Sequence, residues 1–169
     1  MSDLTRNYPT QQRVRELFEY SIPHQGLVWK VSRSKAKAGS LAGAEDKDGY
    51  LVIGLDGQRY KAHRLVFLFH YGRVPAGQLD HVDCNKKNNL IENLREADGS
   101  QNRCNVRLQR VNSTGFKGVN YNKRARKYRA IIKARGMTRF LGYFDDPRKA
   151  HAAYCSAAVE MHGEFARLS

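Results

Sequence analysis

The chain has 169 residues, with 30 Lys and Arg against 16 Asp and Glu, giving a formal net charge of +14. Together with a pI of about 10.0, this favours a polyanionic partner, either nucleic acid or an acidic membrane surface. No apolar run approaches the roughly 20 residues of a membrane span, and Met1 to Thr5 has no charged start followed by an apolar core, so neither a span nor a secretory leader is expected.

The length suits one or two small domains. A first helix is expected over residues 8–20, with Val14, Leu17 and Phe18 on one face and Thr10 as its cap. Leu27 to Val31 is expected as a strand that sends Trp29 to the core. Ser32 to Ser40 is small and basic, a solvated loop or a DNA-backbone contact. Tyr50 to Leu55 and Gln58 to Ala62 spell a hairpin around Asp56-Gly57. His63 to Tyr71 then predicts a buried helix closed by Gly72, with His63 and His70 packing rather than binding metal. The three cysteines, Cys84, Cys104 and Cys155, form no CxxC pair and are expected as thiols in a reducing cytosol.

The stretch richest in chemistry runs from Gln78 to Arg95 and continues through Ser100 to Asn105. It sets a carboxylate beside an imidazole at Asp80 and His81. Hydrolysis of a phosphodiester needs a base to activate water and a cation to neutralise charge on the phosphate and the leaving oxygen. Histidine titrates near neutral pH and suits the base. Magnesium prefers oxygen ligands and keeps waters when few protein groups hold it. Asp80 and Asn102 are the expected metal ligands and His81 the base, with Asp83 and Asn105 as secondary candidates. Adjacent strand residues face opposite ways, so Asp80 and His81 can share a site only where the pleat breaks or the strand ends.

The same residues resemble the HNH, or ββα-metal, nuclease motif, with Asn93 and Asn102 offset from Asp80 by 13 and 22 positions. These offsets suit the phage homing-endonuclease branch, in which Asp stands for the first His and Asn for the last. The resemblance implies that Asn93 pins the loop that aims His81. It also implies a divalent metal, magnesium with manganese able to substitute. It extends upstream to the hairpin, the His63-Arg-Leu-Val66 helix start and the Pro75-x-Gly77 turn.

Charge changes character after the motif. From Gly99 to Phe144 there is no acidic residue, against 12 Lys and Arg, whereas solvated faces mix signs. Asn112 to Gly115 reads as a linker. Strands are expected at Gly118 to Asn122, Lys127 to Lys133 and Thr138 to Phe144, then a helix capped by Asp145 or Asp146 with Pro147 in its first turn. Ala150, Ala153, Tyr154, Ala157, Ala158 and Met161 form its apolar stripe. This unit resembles the Apetala-type (ethylene-response-factor) DNA-binding domain at Gly118-Val119, Lys127 to Ile132, Leu141 to Phe144 and Ala150 to Tyr154. The resemblance implies strands in the DNA major groove, with Arg124, Arg129, Lys133, Arg135 and Arg139 as contacts. Tyr128 stands where that family has Trp, and Asn120 and Asn122 replace part of its Arg-rich first strand.

The expected fold is α+β: N-terminal strands and a ββα-metal HNH unit over residues 1–111, with its motif at about 78–105, then a three-stranded antiparallel sheet on one helix over residues 112–169. The expected function is metal-dependent hydrolysis of double-stranded DNA by a monomer that nicks, with no membrane partner. The expected setting is cytoplasmic, in a bacterial host if the chain is phage-encoded. A DNA-binding regulator with an inert HNH unit and a basic RNA-binding protein are the alternatives.

Overall fold

The computed structural model describes residues 7–33, 36–105, 112–134 and 136–168. It divides into two compact units, Met1–Ala97 and Asp98–Ser169.

The first unit opens with α1 (Gln11–Leu17), where the Thr10 hydroxyl accepts from the Arg13 N–H at 3.1 Å. The helix is shorter than its apolar spacing predicts. From Phe18 the chain becomes β1 (Phe18–Ser21), antiparallel to β2 (Gly26–Trp29), with Phe18 opposite Trp29 and their rings 4.5 Å apart. Strand pairing and this ring contact outweigh the local helical preference. Next come β3 (Ala44–Glu45), β4 (Leu51–Leu55) and β5 (Gln58–Lys61), in sheet order β3-β4-β5. Asp56 and Gly57 turn the β4–β5 hairpin with φ of 49° and 75°, the left-handed pair of a type I′ turn.

Helix α2 (Ala62–Tyr71) follows β5 directly and ends on Gly72 at φ 70°. Leu65 and Val66 meet Val14, Phe18, Ile53 and Leu55 in the core of this unit. Each such fully buried side chain stabilises by about 1.5–3 kcal/mol. Buried Arg64 donates to the carbonyls of Pro75 and Gly77 at 3.2 and 3.1 Å, which fixes the turn leading into β6 (Gln78–His81). Strand β6 pairs antiparallel with β7 (Leu94–Ala97), with Asp80 opposite Arg95 and His81 opposite Leu94.

The second unit begins with α3 (Gly99–Cys104). Asp98 and Gln101 cap it reciprocally: the Gln101 N–H donates to the Asp98 carboxylate at 2.8 Å, and the Asp98 N–H to the Gln101 amide oxygen at 2.7 Å. Strands β8 (Val119–Asn122), β9 (Lys127–Ala134) and β10 (Met137–Phe144) form a meander in order β10-β9-β8, with a bulge between Phe140 and Gly142. Helix α4 (Pro147–His162) covers one face, its start capped by Asp146. Its alanines let the helix approach closely, and Ala157, Ala158 and Tyr154 pack on Ile132, Ala150 on Val119 and Ala130. Mixed helix and sheet in both units agree with the α+β expectation. Among the described residues no helix is long and apolar enough to cross a membrane.

Gly118 is the tightest position of the second unit. Its φ is +74°, and a Cβ there would lie 2.0 Å from the Tyr154 ring. Gly118→Ala combines a left-handed backbone with overpacking against a buried ring, an expected loss of about 3 kcal/mol or more. Chemical denaturation should show the second unit unfolding early, and a loss under about 1 kcal/mol would contradict this packing.

Candidate active site

Asp80 and His81 are the last two residues of β6. They keep the regular ladder to the strand end, and the chain then turns through Cys84 at φ 58°. The pleat is unbroken, so they direct their side chains to different partners. Asp80 is buried and faces its cross-strand neighbour: Arg95 Nε and Nη2 donate to Asp80 Oδ2 at 3.0 and 2.8 Å. His81 is buried too, and its Nε2 lies 3.1 Å from Asn89 Oδ1. The Asn89 amide nitrogen donates to Lys87 O, which sets the amide orientation. An amide oxygen only accepts, so Nε2 carries the proton and Nδ1 the lone pair. An imidazole held in this tautomer takes a proton at Nδ1.

Burial pushes the His81 pKa below its ordinary value, with the Asn89 hydrogen bond opposing and Lys86 adding to the fall. The ring is therefore neutral at pH 7. His63 packs edge-on to it, centroids 5.1 Å apart at 84°, and Tyr50 lies 6.0 Å away. The ammoniums of Lys61 and Lys86 sit 4.4 and 4.6 Å from the Tyr50 ring centroid. Lys61 pairs with Asp46, and that contact holds the Asp46 carboxyl down at about 2.

The loop between β6 and β7 is built from asparagines. Asn93 Oδ1 accepts from the Asp83 N–H at 3.0 Å, and its Nδ2 donates to Asp83 Oδ1 and Asn88 O at 3.0 and 2.8 Å. Asn93 thus holds the loop and not the imidazole. The Asp83 carboxylate also accepts from the Asn85 N–H and the Asn88 amide. Burial pushes Asp83 up, but these donors outweigh it and leave its pKa below the ordinary value. The loop is tied to the β1–β2 hairpin by Asn89 N–H to Gln25 O and Ile91 N–H to the Tyr20 hydroxyl, both 3.0 Å.

Asn102 lies on α3 in the second unit, where its N–H donates to Asp98 O at 3.0 Å. Asn105 follows that helix and is buried. Among the described residues no three His, Cys, Asp or Glu side chains group to hold an ion. The buried Asp80 carboxylate is a hard oxygen donor, and a site with so few charged ligands fits a hard cation that keeps most of its waters. It does not fit a zinc cage of His and Cys.

On the second sheet, cross-strand partners share a face. The face away from α4 carries Asn120, Arg129, Ile131, Lys133, Phe140 and Tyr143. Arg129 Nε donates to Asn120 Oδ1 at 3.1 Å, and Phe140 and Tyr143 are exposed with rings 5.1 Å apart. Arg124 is exposed in the β8–β9 turn. Arg139 lies opposite Ile132 and reaches Glu160 of α4 at 3.4 Å, on the helix side of the sheet. Arg135 lies outside the described residues. Cys84 and Cys155 form no disulfide.

The sequence reading missed Asn89, Arg95 and His63 as neighbours of the site. Asn89 lies within the asparagine-rich run beside the motif, and Arg95 faces Asp80 wherever two short strands pair around this loop. Nothing local marks His63, since a helix must fold back to bring it near.

A family described as HNH endonuclease matches residues 60–104. Protein 3.8 of Escherichia phage T7 is 32% identical over 115 residues, 66% of this chain and 94% of that protein. An uncharacterised HNH endonuclease of Acanthamoeba polyphaga mimivirus is 32% identical over 122 residues, 71% of this chain and 62% of that protein. The DNA endonuclease I-HmuI of Bacillus phage SP01 is 37% identical over 81 residues, 45% of this chain and 44% of that protein. A solved structure titled DNA binding and cleavage by the HNH homing endonuclease I-HmuI is similar at a TM-score of 0.38 and 19% identity, over 93% of this chain and 91% of that one. The family match runs from within β5 to the end of α3 and spans the whole Asp80 to Asn102 constellation, and the phage protein is matched over nearly its full length; the chain belongs to the HNH endonuclease family.

Proposed function

We propose that the chain is a metal-dependent DNA endonuclease that hydrolyses one phosphodiester bond at a time in duplex DNA. The observation that carries this is the neutral His81, locked by Asn89 in the tautomer that accepts at Nδ1, next to the buried Asp80 carboxylate. His81 Nδ1 takes the proton from a water as its oxygen attacks phosphorus, and the bond from phosphorus to the leaving oxygen breaks. Asp80 is proposed to hold the divalent cation, magnesium or manganese, with Asn102 as second oxygen donor on the strength of its offset of 22. The bound cation supplies charge neutralisation at the phosphate and the leaving oxygen. Asn93 keeps the loop in the shape that presents Asn89 to His81.

The second unit is proposed as an Apetala-type reader of duplex DNA, domain 112–169 by sequence, with Arg124, Arg129 and Lys133 toward the backbone and Arg135 and Arg139 completing the sequence-derived set. Support comes from the exposed sheet face that carries Arg129 and Lys133. One catalytic histidine per chain supports a nicking monomer. Phage relatives support a bacterial cytoplasm as its setting.

Single-turnover cleavage of a long duplex, resolved on native and denaturing gels, tests this reading. The expected product is a strand break visible only after denaturation. Double-strand ends at the earliest times would overturn nicking by a monomer. Replacing Arg129 and Lys133 together by alanine should weaken DNA binding and flatten its dependence on log salt by about 2, since each lost phosphate contact removes roughly 0.9 of slope. An unchanged slope would move the contact surface off this sheet.

A further inference from the structure

Helix α4 covers one face of the second sheet, and the opposite face displays Ile131, Phe140 and Tyr143 beside Arg129 and Lys133. Phe140 is 54% exposed and Tyr143 45%. Ile131 lies directly opposite Phe140 in the ladder, and the Phe140 and Tyr143 rings are 5.1 Å apart, so the three make one continuous apolar patch. Tyr143 is steadied from across the sheet, its hydroxyl accepting from the Asn122 amide at 3.2 Å. A single exposed aromatic is ordinary. A contiguous patch set in the middle of a charged face marks a contact surface.

The charge around the patch selects its occupant. Arg129 and Lys133 border it on β9, and no acidic residue occurs from Gly99 to Phe144. A second copy of this chain would set the same cationic face against it. Duplex DNA brings phosphates to the cations, and its major groove admits a β-ribbon. The base edges in that groove are donors and acceptors, with one apolar group among them, the C5-methyl of thymine. Cytosine carries only hydrogen at the same carbon. We propose that Ile131, Phe140 and Tyr143 form a thymine-methyl reader. It gives the sheet a preference for thymine at the centre of its contact, while Arg129 and Lys133 hold the flanking phosphates. Successive bases on one strand lie about 3.4 Å apart along the axis, so rings 5.1 Å apart span one to two base steps. This specificity rests on the DNA-binding reading of the sheet proposed above and deepens it.

Deoxyuridine pairs as thymidine does and lacks the methyl. The probes are therefore a long alternating adenine–thymine duplex and the same duplex with every thymine replaced by uracil. The full chain is titrated with each in chelator, so that binding is read without cleavage. Burying one methyl is worth about fourfold in affinity, and one or two under the patch give an expected preference of about 4- to 15-fold for the thymine duplex. Phe140→Ser alters an exposed side chain and should bring that preference to within about twofold, losing affinity chiefly on the thymine duplex. Lys133→Ala should weaken both duplexes alike and keep the preference. Equal binding of the two duplexes by the parent protein, or a preference kept by Phe140→Ser, overturns the inference and leaves DNA binding by the sheet intact. Unchanged affinity for both duplexes when Arg129 and Lys133 are replaced together removes the DNA-binding reading, and the thymine preference with it. A concentration-dependent dimer in sedimentation that Phe140→Ser dissolves assigns the patch to a second copy and also overturns the inference.

Discussion

Cleavage by His81→Ala is expected to fall by about 10²- to 10⁴-fold, with DNA affinity within about twofold of the parent protein. The side chain is buried behind the loop rather than displayed on the basic sheet, so its loss removes the proton acceptor and leaves the binding surface alone. The pH profile carries the same argument. The active form is the neutral ring, and burial lowers its pKa below 6.5. Lowering the pKa moves loss of the base to more acid pH, so the acid limb of the rate should lie below that of an ordinary imidazole. A bound cation nearby lowers the pKa further and moves the acid limb the same way. A rate already halved near pH 7 by protonation of this ring would contradict the environment described for it.

Asp80→Asn is expected to remove metal-dependent cleavage and metal binding together. The change is nearly isosteric, but an amide is a weaker ligand for a hard cation than a carboxylate. It also strips the counter-charge from Arg95, whose side chain is 17% exposed against 6% for Asp80. Breaking a buried pair costs about 3–5 kcal/mol, and the partial exposure of Arg95 brings the expected loss nearer about 2 kcal/mol. Adding Arg95→Met to Asp80→Asn separates the two effects. Stability should return, because no unpaired guanidinium remains, while cleavage and manganese binding followed by electron paramagnetic resonance should stay lost. Cleavage restored along with stability would show that Asp80 serves only the fold.

Elements with strong local signals were legible in the sequence. Asp56-Gly57 fixed a hairpin because both residues accept positive φ, and Gly72 closed α2 for the same reason. Pro147 behind Asp146 marked the start of α4. The C-terminal strands followed the alternation of Tyr128, Ala130 and Ile132 with Arg129, Ile131 and Lys133. Helix α1 was read as too long, since the period of Val14, Leu17 and Phe18 cannot show that Phe18 pairs with Trp29. Arg139 is expected among the DNA contacts, and its register opposite Ile132 sets it on the helix side of the sheet beside Glu160. At the site, Asp80, His81 and Asn93 stood out by residue type and spacing. Asn89 did not, because six asparagines occur from Asn85 to Asn105 and only the folded loop shows which one meets His81. The His63 to His81 contact needed α2 packed against β6, information that no local window contains.

The most direct measurement is conversion of supercoiled plasmid by the purified protein with magnesium, with manganese and with chelator, beside His81→Ala. The predicted result is open circle formed only with metal and lost in the variant. Equal conversion in chelator, equal conversion by His81→Ala, or no product from plasmid and phage genomic DNA alike would contradict it.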